Sequence, residues 1–205
     1  MTKDCGIVGP LDVLRSRGWL VLEDVVPTSL VGRIDAALRE LEVSLVKGRP
    51  ASRFEGGGER PTNLLGKNEV FLEVATFAPL MAIAHELLGD GFLLNSMASL
   101  VVEPGTPVQH LHSDDQVIRL GSSRPTVICT TIWALDDFSV SNGATEIVEG
   151  THELPEPLRW GGTHMTWRII VVRWRCLVAV SLLWTDAFTM GPEQIAHLLS
   201  AGLLV

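Results

Sequence analysis

Near Phe92 the hydrophobic period of this 205-residue chain changes, and no other feature constrains the fold as strongly. Before it, apolar residues recur at three- and four-residue steps: Leu30, Ile34, Leu38, Leu41 and Leu45, then Val74, Phe77, Leu80, Ile83, Leu87 and Leu88. That spacing lines one face of a helix. After it come short runs rich in β-branched residues, at 92–103, from 108, at 124–138 and at 144–148, separated by Pro and Gly turns. These read as strands. Helices first and closely spaced strands afterwards predict an α+β chain with an antiparallel sandwich or barrel core, in a single domain over 1–205.

The N-terminal half divides further. Residues 11–17 suit a short helix and 18–22 a short strand. Pro27-Thr28-Ser29 offers a turn and an N-cap for the helix that follows. Residues 47–66, rich in Gly, Arg, Pro and Ser around Gly56-Gly57-Gly58, read as a mobile loop or lid. The helical pattern of 71–88 is interrupted at Pro79, which predicts two helices meeting there, and Gly89 suits a C-cap.

Composition narrows the partners. With 16 Lys and Arg against 24 Asp and Glu, the net charge is -8 and basic residues form no cluster, which argues against nucleic acid or an anionic membrane. Cys5, Cys129 and Cys176 form no CxxC pair and no disulfide framework, so a cytoplasmic setting is expected. The first ten residues carry Asp4 and no apolar run, as a signal peptide or anchor would require. The apolar stretch 169–184 has 16 residues with Arg173 and Arg175 inside it. A bilayer needs about 20 apolar residues, and charged ones are costly there.

The residues that carry chemistry are Gln109-His110-Leu111-His112-Ser113-Asp114-Asp115. On an extended strand His112 and Asp114 share a face about 7 Å apart, from which one imidazole and one carboxylate can reach the same cation. Such a pair is two-thirds of the facial set that holds non-haem Fe(II) with open positions. A solvated polar strand end is the plain alternative for so short a pattern. His110 shares that face, as a third ligand or as a group beside the site or exposed. Gln109 faces the other way in a regular strand and needs a twist or bulge to join the site. Cys129 reads as a small core residue. Asp115, Asp136 and Asp137 read as acidic strand edges, with Asp115 a possible pocket residue.

The ordered set Gln109, His112-x-Asp114, TIWALDDF at 131–138 and NGATEIVEGTH at 142–152 resembles the phytanoyl-CoA dioxygenase family of Fe(II)- and 2-oxoglutarate-dependent oxygenases. GWLVLEDVV at 18–26 and LLGDGFLLN at 87–95 resemble it too, so the likeness covers about residues 10–155. The resemblance implies a double-stranded β-helix of the jelly-roll, cupin-like kind behind N-terminal helices. It implies His112 and Asp114 as Fe(II) ligands, 2-oxoglutarate as cosubstrate contacted by Gln109 and Thr145, a structural His152, and hydroxylase-type oxidation of a small organic substrate.

The family's second metal His and its Arg for the cosubstrate's far carboxylate have no counterpart in 160–205, a divergent tail. Composition shifts there as well: 22 of the 24 acidic residues precede Trp160, while four of the six Trp lie from Trp160 onward. Back-translating 187–197 and reading two bases along permits LHHGAGANRS, and 175–184 permits MPRGSLFVV in the same frame. Both strings resemble the missing family segment, in order. A frame shift between about Pro155 and Trp167 accounts for this, and it leaves the core incomplete at its C-terminal end. Two other readings stand beside an active dioxygenase. One is a truncated or inactive pseudoenzyme that lacks the second metal His and the 2-oxoglutarate Arg, unless His164 or His197 replaces the lost ligand by accident. The other is a cupin-like module holding a structural ion such as Zn(II).

Overall fold

A computed structural model describes residues 8–45, 52–53, 59–102, 111–118, 125–137, 139, 142–156, 169–171, 178–181, 187–190 and 196–204. Helix α1 (Val8–Arg17) buries Leu11 and Leu14 and ends at Gly18, whose N–H donates to the Leu14 carbonyl at 2.8 Å with φ at 81°. A left-handed residue closing a helix favours glycine. Strand β1 (Trp19–Leu22) follows at once.

Helix α2 (Thr28–Leu45) starts on the carbonyl of Pro27, which accepts from Leu30 and Val31 at 2.9 and 3.1 Å. Its buried face is Leu30, Ile34, Ala37 and Leu38, as the periodicity requires. Most of the expected loop 47–66 lies outside the described residues. Its described parts are ordered into a two-residue ladder of β2 (Ser52–Arg53) with β3 (Glu59–Arg60) and a 3-10 turn at Leu64–Gly66. The lid reading is therefore too simple for its flanks.

Helices α3 (Val70–Ala75) and α4 (Ala78–Leu88) meet at Thr76-Phe77, with Pro79 in the first turn of α4, where its missing N–H costs nothing. Gly89 ends α4 by donating to the His85 carbonyl at 2.9 Å.

The strands are β4 (Leu93–Val102), β5 (Ile128–Ala134), β6 (Asn142–Val148), β7 (Ile169–Val171), β8 (Val178–Ser181), β9 (Ala187–Met190) and β10 (Ala196–Leu204). They form a five-stranded sheet in the order β1-β8-β5-β10-β4 and a three-stranded sheet in the order β7-β6-β9, antiparallel throughout. Every residue of β5 is buried, as its central place between β8 and β10 demands. Alternation divides its side chains. Cys129 and Trp133 join the core of α1, α2, α3 and α4, where Trp133 meets Phe77 edge-to-face at 5.3 Å, and Thr130 and Ile132 take the opposite face. Trp19 of β1 packs with Ile147 of β6, so apolar contact ties the two sheets together.

In the tail the described segments β7, β8, β9 and β10 take places in the two sheets, and β10 lies between β4 and β5. Backbone pairing depends on the N–H and C=O groups that every non-proline residue carries, so tail segments can join a sheet whatever motif they lack. No described helix is long and apolar enough to cross a membrane, and parts of the apolar stretch 169–184 are strands.

Candidate metal centre

His112 and Asp114 lie where extended chain turns into a single 3-10 turn, Asp114–Val117. Ser113 is extended, with φ at -116° and ψ at 132°, and the Gln116 N–H donates back to the Ser113 carbonyl at 3.0 Å. The start of the strand expected from 108 lies outside the described residues, which leave out 103–110, and 111–113 carry no ladder among the described residues. His112 Nε2 lies 3.9 Å from Asp114 Oδ1. Two donors at a right angle about one ion at roughly 2.1 Å lie about 3 Å apart, so this separation is about 1 Å wider than a facial pair requires.

Burial is unequal. The His112 side chain is 10% exposed and that of Asp114 31%, so the imidazole sits inside and the carboxylate at the mouth. Asp114 is held from β5: Thr130 Oγ1 donates to Asp114 Oδ2 at 2.5 Å, leaving Oδ1 on the side of the imidazole. Asp115 is not an acidic edge. It is 1% exposed, and its carboxylate accepts from Ser113 Oγ at 2.7 Å, which fastens the 3-10 turn from within. Asp136 is half-buried and Asp137 exposed at the end of β5. The carbonyl of Asp137 accepts from Asn142 Nδ2, closing the turn into β6.

Thr145 of β6 is buried, and its Oγ1 has no hydrogen-bond partner among the described residues. By strand alternation it shares a face with Ile147, which packs toward the other sheet. An unpartnered buried hydroxyl is costly, and a site for a polar ligand is one explanation for its retention. Gln109 and His110 lie outside the described residues, as does His164, and β10 carries His197 opposite Val101 of β4. His152 takes no part in the centre. Its Nε2 donates to the Arg15 carbonyl at 2.9 Å, a structural bond to the end of α1.

Among the described residues no group of three His, Cys, Asp or Glu converges, so His112 and Asp114 form a two-donor set. An open cleft of about 450 Å³ beside β4, lined by Thr62, Asn63, Leu94 and Ser96 among others, contains none of the expected site residues. Thr130 was not legible as a site residue. Its signal is its place directly before TIWALDDF on the same strand, 16 positions after Asp114.

Known proteins resemble the chain in sequence and in fold. The iron/alpha-ketoglutarate-dependent dioxygenase okaE of Penicillium ochrochloron is 27% identical over 160 residues, 70% of this chain and 52% of okaE. The dioxygenase trt7 of Aspergillus terreus is 28% identical over 152 residues, 68% of this chain and 53% of trt7. The chain therefore spans about half the length of these curated relatives. The crystal structure of SnoN, a non-heme alpha ketoglutarate dependent epimerase from nogalamycin biosynthesis, superposes with a TM-score of 0.79 at 18% identity, covering 98% of this chain and 84% of SnoN. HygX from Streptomyces hygroscopicus, with nickel and 2-oxoglutarate bound, does so with a TM-score of 0.73 at 18% identity, covering 96% of this chain and 86% of HygX. The sequence profile of the phytanoyl-CoA dioxygenase (PhyH) family matches residues 14–168, which include the His112–Asp114 pair and Thr145, and the chain belongs to that family.

Proposed function

We propose that the chain is a non-haem Fe(II)- and 2-oxoglutarate-dependent dioxygenase that oxidises a small organic substrate on a double-stranded β-helix. His112 and Asp114 are two of its metal ligands, and Gln109 and Thr145 contact the cosubstrate. The observation that carries this reading is the convergence of His112 Nε2 and Asp114 Oδ1 to 3.9 Å, inside the stretch matched by the family.

The donor chemistry fits. A buried imidazole and a carboxylate oxygen suit a divalent first-row ion, and a two-donor set leaves positions for a chelating keto acid and for oxygen. Bound there, iron with 2-oxoglutarate supplies the activation of dioxygen. The chain's own part is positional. His112 presents a ring nitrogen from a buried place, Asp114 presents a carboxylate oxygen from a half-buried one, and the Thr145 hydroxyl offers a polar contact that the apolar faces of Ile147 and Trp19 do not. A small-molecule substrate agrees with a net charge of -8 and basic residues that form no cluster, and the scattered cysteines suit a cytoplasmic setting.

Anaerobic titration with Fe(II) and 2-oxoglutarate tests the reading by the visible metal-to-ligand charge-transfer absorption. Its appearance at one iron per chain supports a dioxygenase. No metal uptake supports a pseudoenzyme, and tight Zn(II) binding indifferent to 2-oxoglutarate supports a structural ion.

A second reading concerns residues 160–205, favoured by the register of β9. The stretch in which the alternative frame permits LHHGAGANRS begins at β9, where Phe188 pairs with Thr145 of β6. That register sets a restored imidazole one strand away from the cosubstrate contact. The family match also stops at residue 168, beside the proposed break. In this reading the tail is the product of a shifted frame and the corrected chain carries the third donor on β9. Sequencing the gene across codons 155–167 decides it: a missing or extra base supports the shift, and an uninterrupted frame in independent isolates ends it.

A further inference from the structure

We infer that Thr130 is a positioning residue that fixes Asp114 as a one-oxygen donor, an inference that rests on the proposed metal centre. Thr130 stands on β5, between β8 and β10 in the five-stranded sheet, and is 6% exposed. Asp114 stands on a one-turn 3-10 segment with its side chain 31% exposed. The hydroxyl therefore belongs to a rigid element and the carboxylate to a short, partly open one. A β-branched side chain has few χ1 choices, and burial in a full strand removes the rest.

The bond divides the two carboxylate oxygens. Oδ2 accepts from Thr130 Oγ1 at 2.5 Å, and Oδ1 lies 3.9 Å from His112 Nε2. Rotation of the carboxylate about its Cβ–Cγ bond would break the first contact in order to present both oxygens to an ion. Thr130 thus holds one oxygen back and aims the other, and an ion between Nε2 and Oδ1 receives one bond from Asp114. Asp114 and Thr130 stand 16 positions apart, so the hydrogen bond joins the 3-10 turn to β5.

Threonine also supplies what its near-isosteres do not. Valine fills the same volume without a donor, and serine keeps the donor but loosens χ1. Partners of metal ligands typically cost about 10- to 100-fold in metal affinity when removed. The test uses the full chain, Co(II) as the probe, and T130V, T130S and the parent, each checked for a cooperative urea transition without metal. T130V is expected to bind Co(II) about 10- to 100-fold more weakly and to change its visible d–d absorption as the carboxylate binds through both oxygens or swings out. T130S is expected to return the parent's spectrum and most of its affinity. If T130V binds with the parent's affinity and spectrum, the inference is overturned while the metal centre stands. If the folded parent takes up no Co(II), the metal centre and the inference fall together. If T130V does not fold, T130S decides: a spectrum unlike the parent's overturns the role of the hydroxyl.

Discussion

The imidazole of His152 closes the corner between α1 and β1 by donating from Nε2 to the Arg15 carbonyl at 2.9 Å, across 137 residues of sequence. The same corner is held by the Arg17–Glu149 ion pair and by the Gly150 N–H, which donates to the Arg17 carbonyl at 3.4 Å. Gly18 is what lets the ring approach, because a Cβ built there would lie 2.4 Å from His152 Nδ1. Its φ of 81° adds the left-handed cost of any other residue, about 1–2 kcal/mol. Gly18→Ala is therefore expected to lower the unfolding free energy by about 2–3 kcal/mol. His152→Ala removes one hydrogen bond, about 1 kcal/mol. The double variant is expected to lose less than the sum, since the clash disappears with the ring. Urea denaturation of the four chains measures the coupling, and strict additivity would show that ring and glycine do not meet.

Thr145 invites a test in which stability and ligand binding move in opposite directions. Its buried hydroxyl has no partner among the described residues, so Thr145→Val removes an unsatisfied group and is expected to leave the ligand-free chain as stable or up to about 1 kcal/mol more stable. If the hydroxyl contacts the cosubstrate, 2-oxoglutarate affinity falls about tenfold, the equivalent of one lost hydrogen bond of about 1.4 kcal/mol. Calorimetric unfolding and a 2-oxoglutarate titration read the two effects. A destabilised variant with unchanged affinity would assign the hydroxyl to the fold instead.

His112→Ala and Asp114→Ala each take away one of two donors, and each is expected to abolish the charge-transfer absorption at equimolar iron. Apo stability should change by no more than about 1–2 kcal/mol, because neither side chain belongs to the apolar core cluster. Retained absorption in either variant would remove that residue from the ligand set.

Cys129 gives a pH-dependent prediction. Burial alone pushes its thiol from 9.0 to about 12, because the thiolate is poorly solvated inside the helical core. The folded chain thus keeps a proton that the unfolded chain releases. The neutral thiol's contribution is fully present below pH 9 and is lost as the pH rises from about 9 to about 12. Unfolding midpoints across that window are expected to fall less steeply in Cys129→Ala. Peptide mapping after alkylation at pH 8 should find Cys129 unmodified until denaturant is added.

A surface pair supplies the opposite sign. Arg33 grips Glu73 through two hydrogen bonds, the second at 2.6 Å, linking α2 to α3. That bond lowers the Glu73 pKa from 4.5, and both side chains remain about half exposed. The pair's contribution is present above the ordinary carboxylate value and is lost as the pH falls through the lowered one. Glu73→Gln is expected to shift the urea midpoint slightly at pH 7 and not at all once Glu73 is protonated in the parent, and salt should shrink the difference. A shift that persists in acid would point to packing.

Helices and strands were largely readable along the chain because each rests on local regularities. The stripe Leu30, Ile34 and Leu38 is the buried face of α2, Gly89 ends α4, and the runs near 93, 128 and 142 are strands. The pairing of His112 with Asp114 was also readable, since two residues so close in sequence cannot lie far apart. What periodicity could not supply was the 3-10 turn at Asp114, because the buried Ser113–Asp115 bond that fastens it depends on the surrounding core. Nor could it supply Thr130 against Asp114, His152 against Arg15, or β10 between β4 and β5. Those contacts join residues 16 to more than 100 positions apart. Local patterning sets which face of an element is apolar, whereas strand order and packing select which distant side chains share a site.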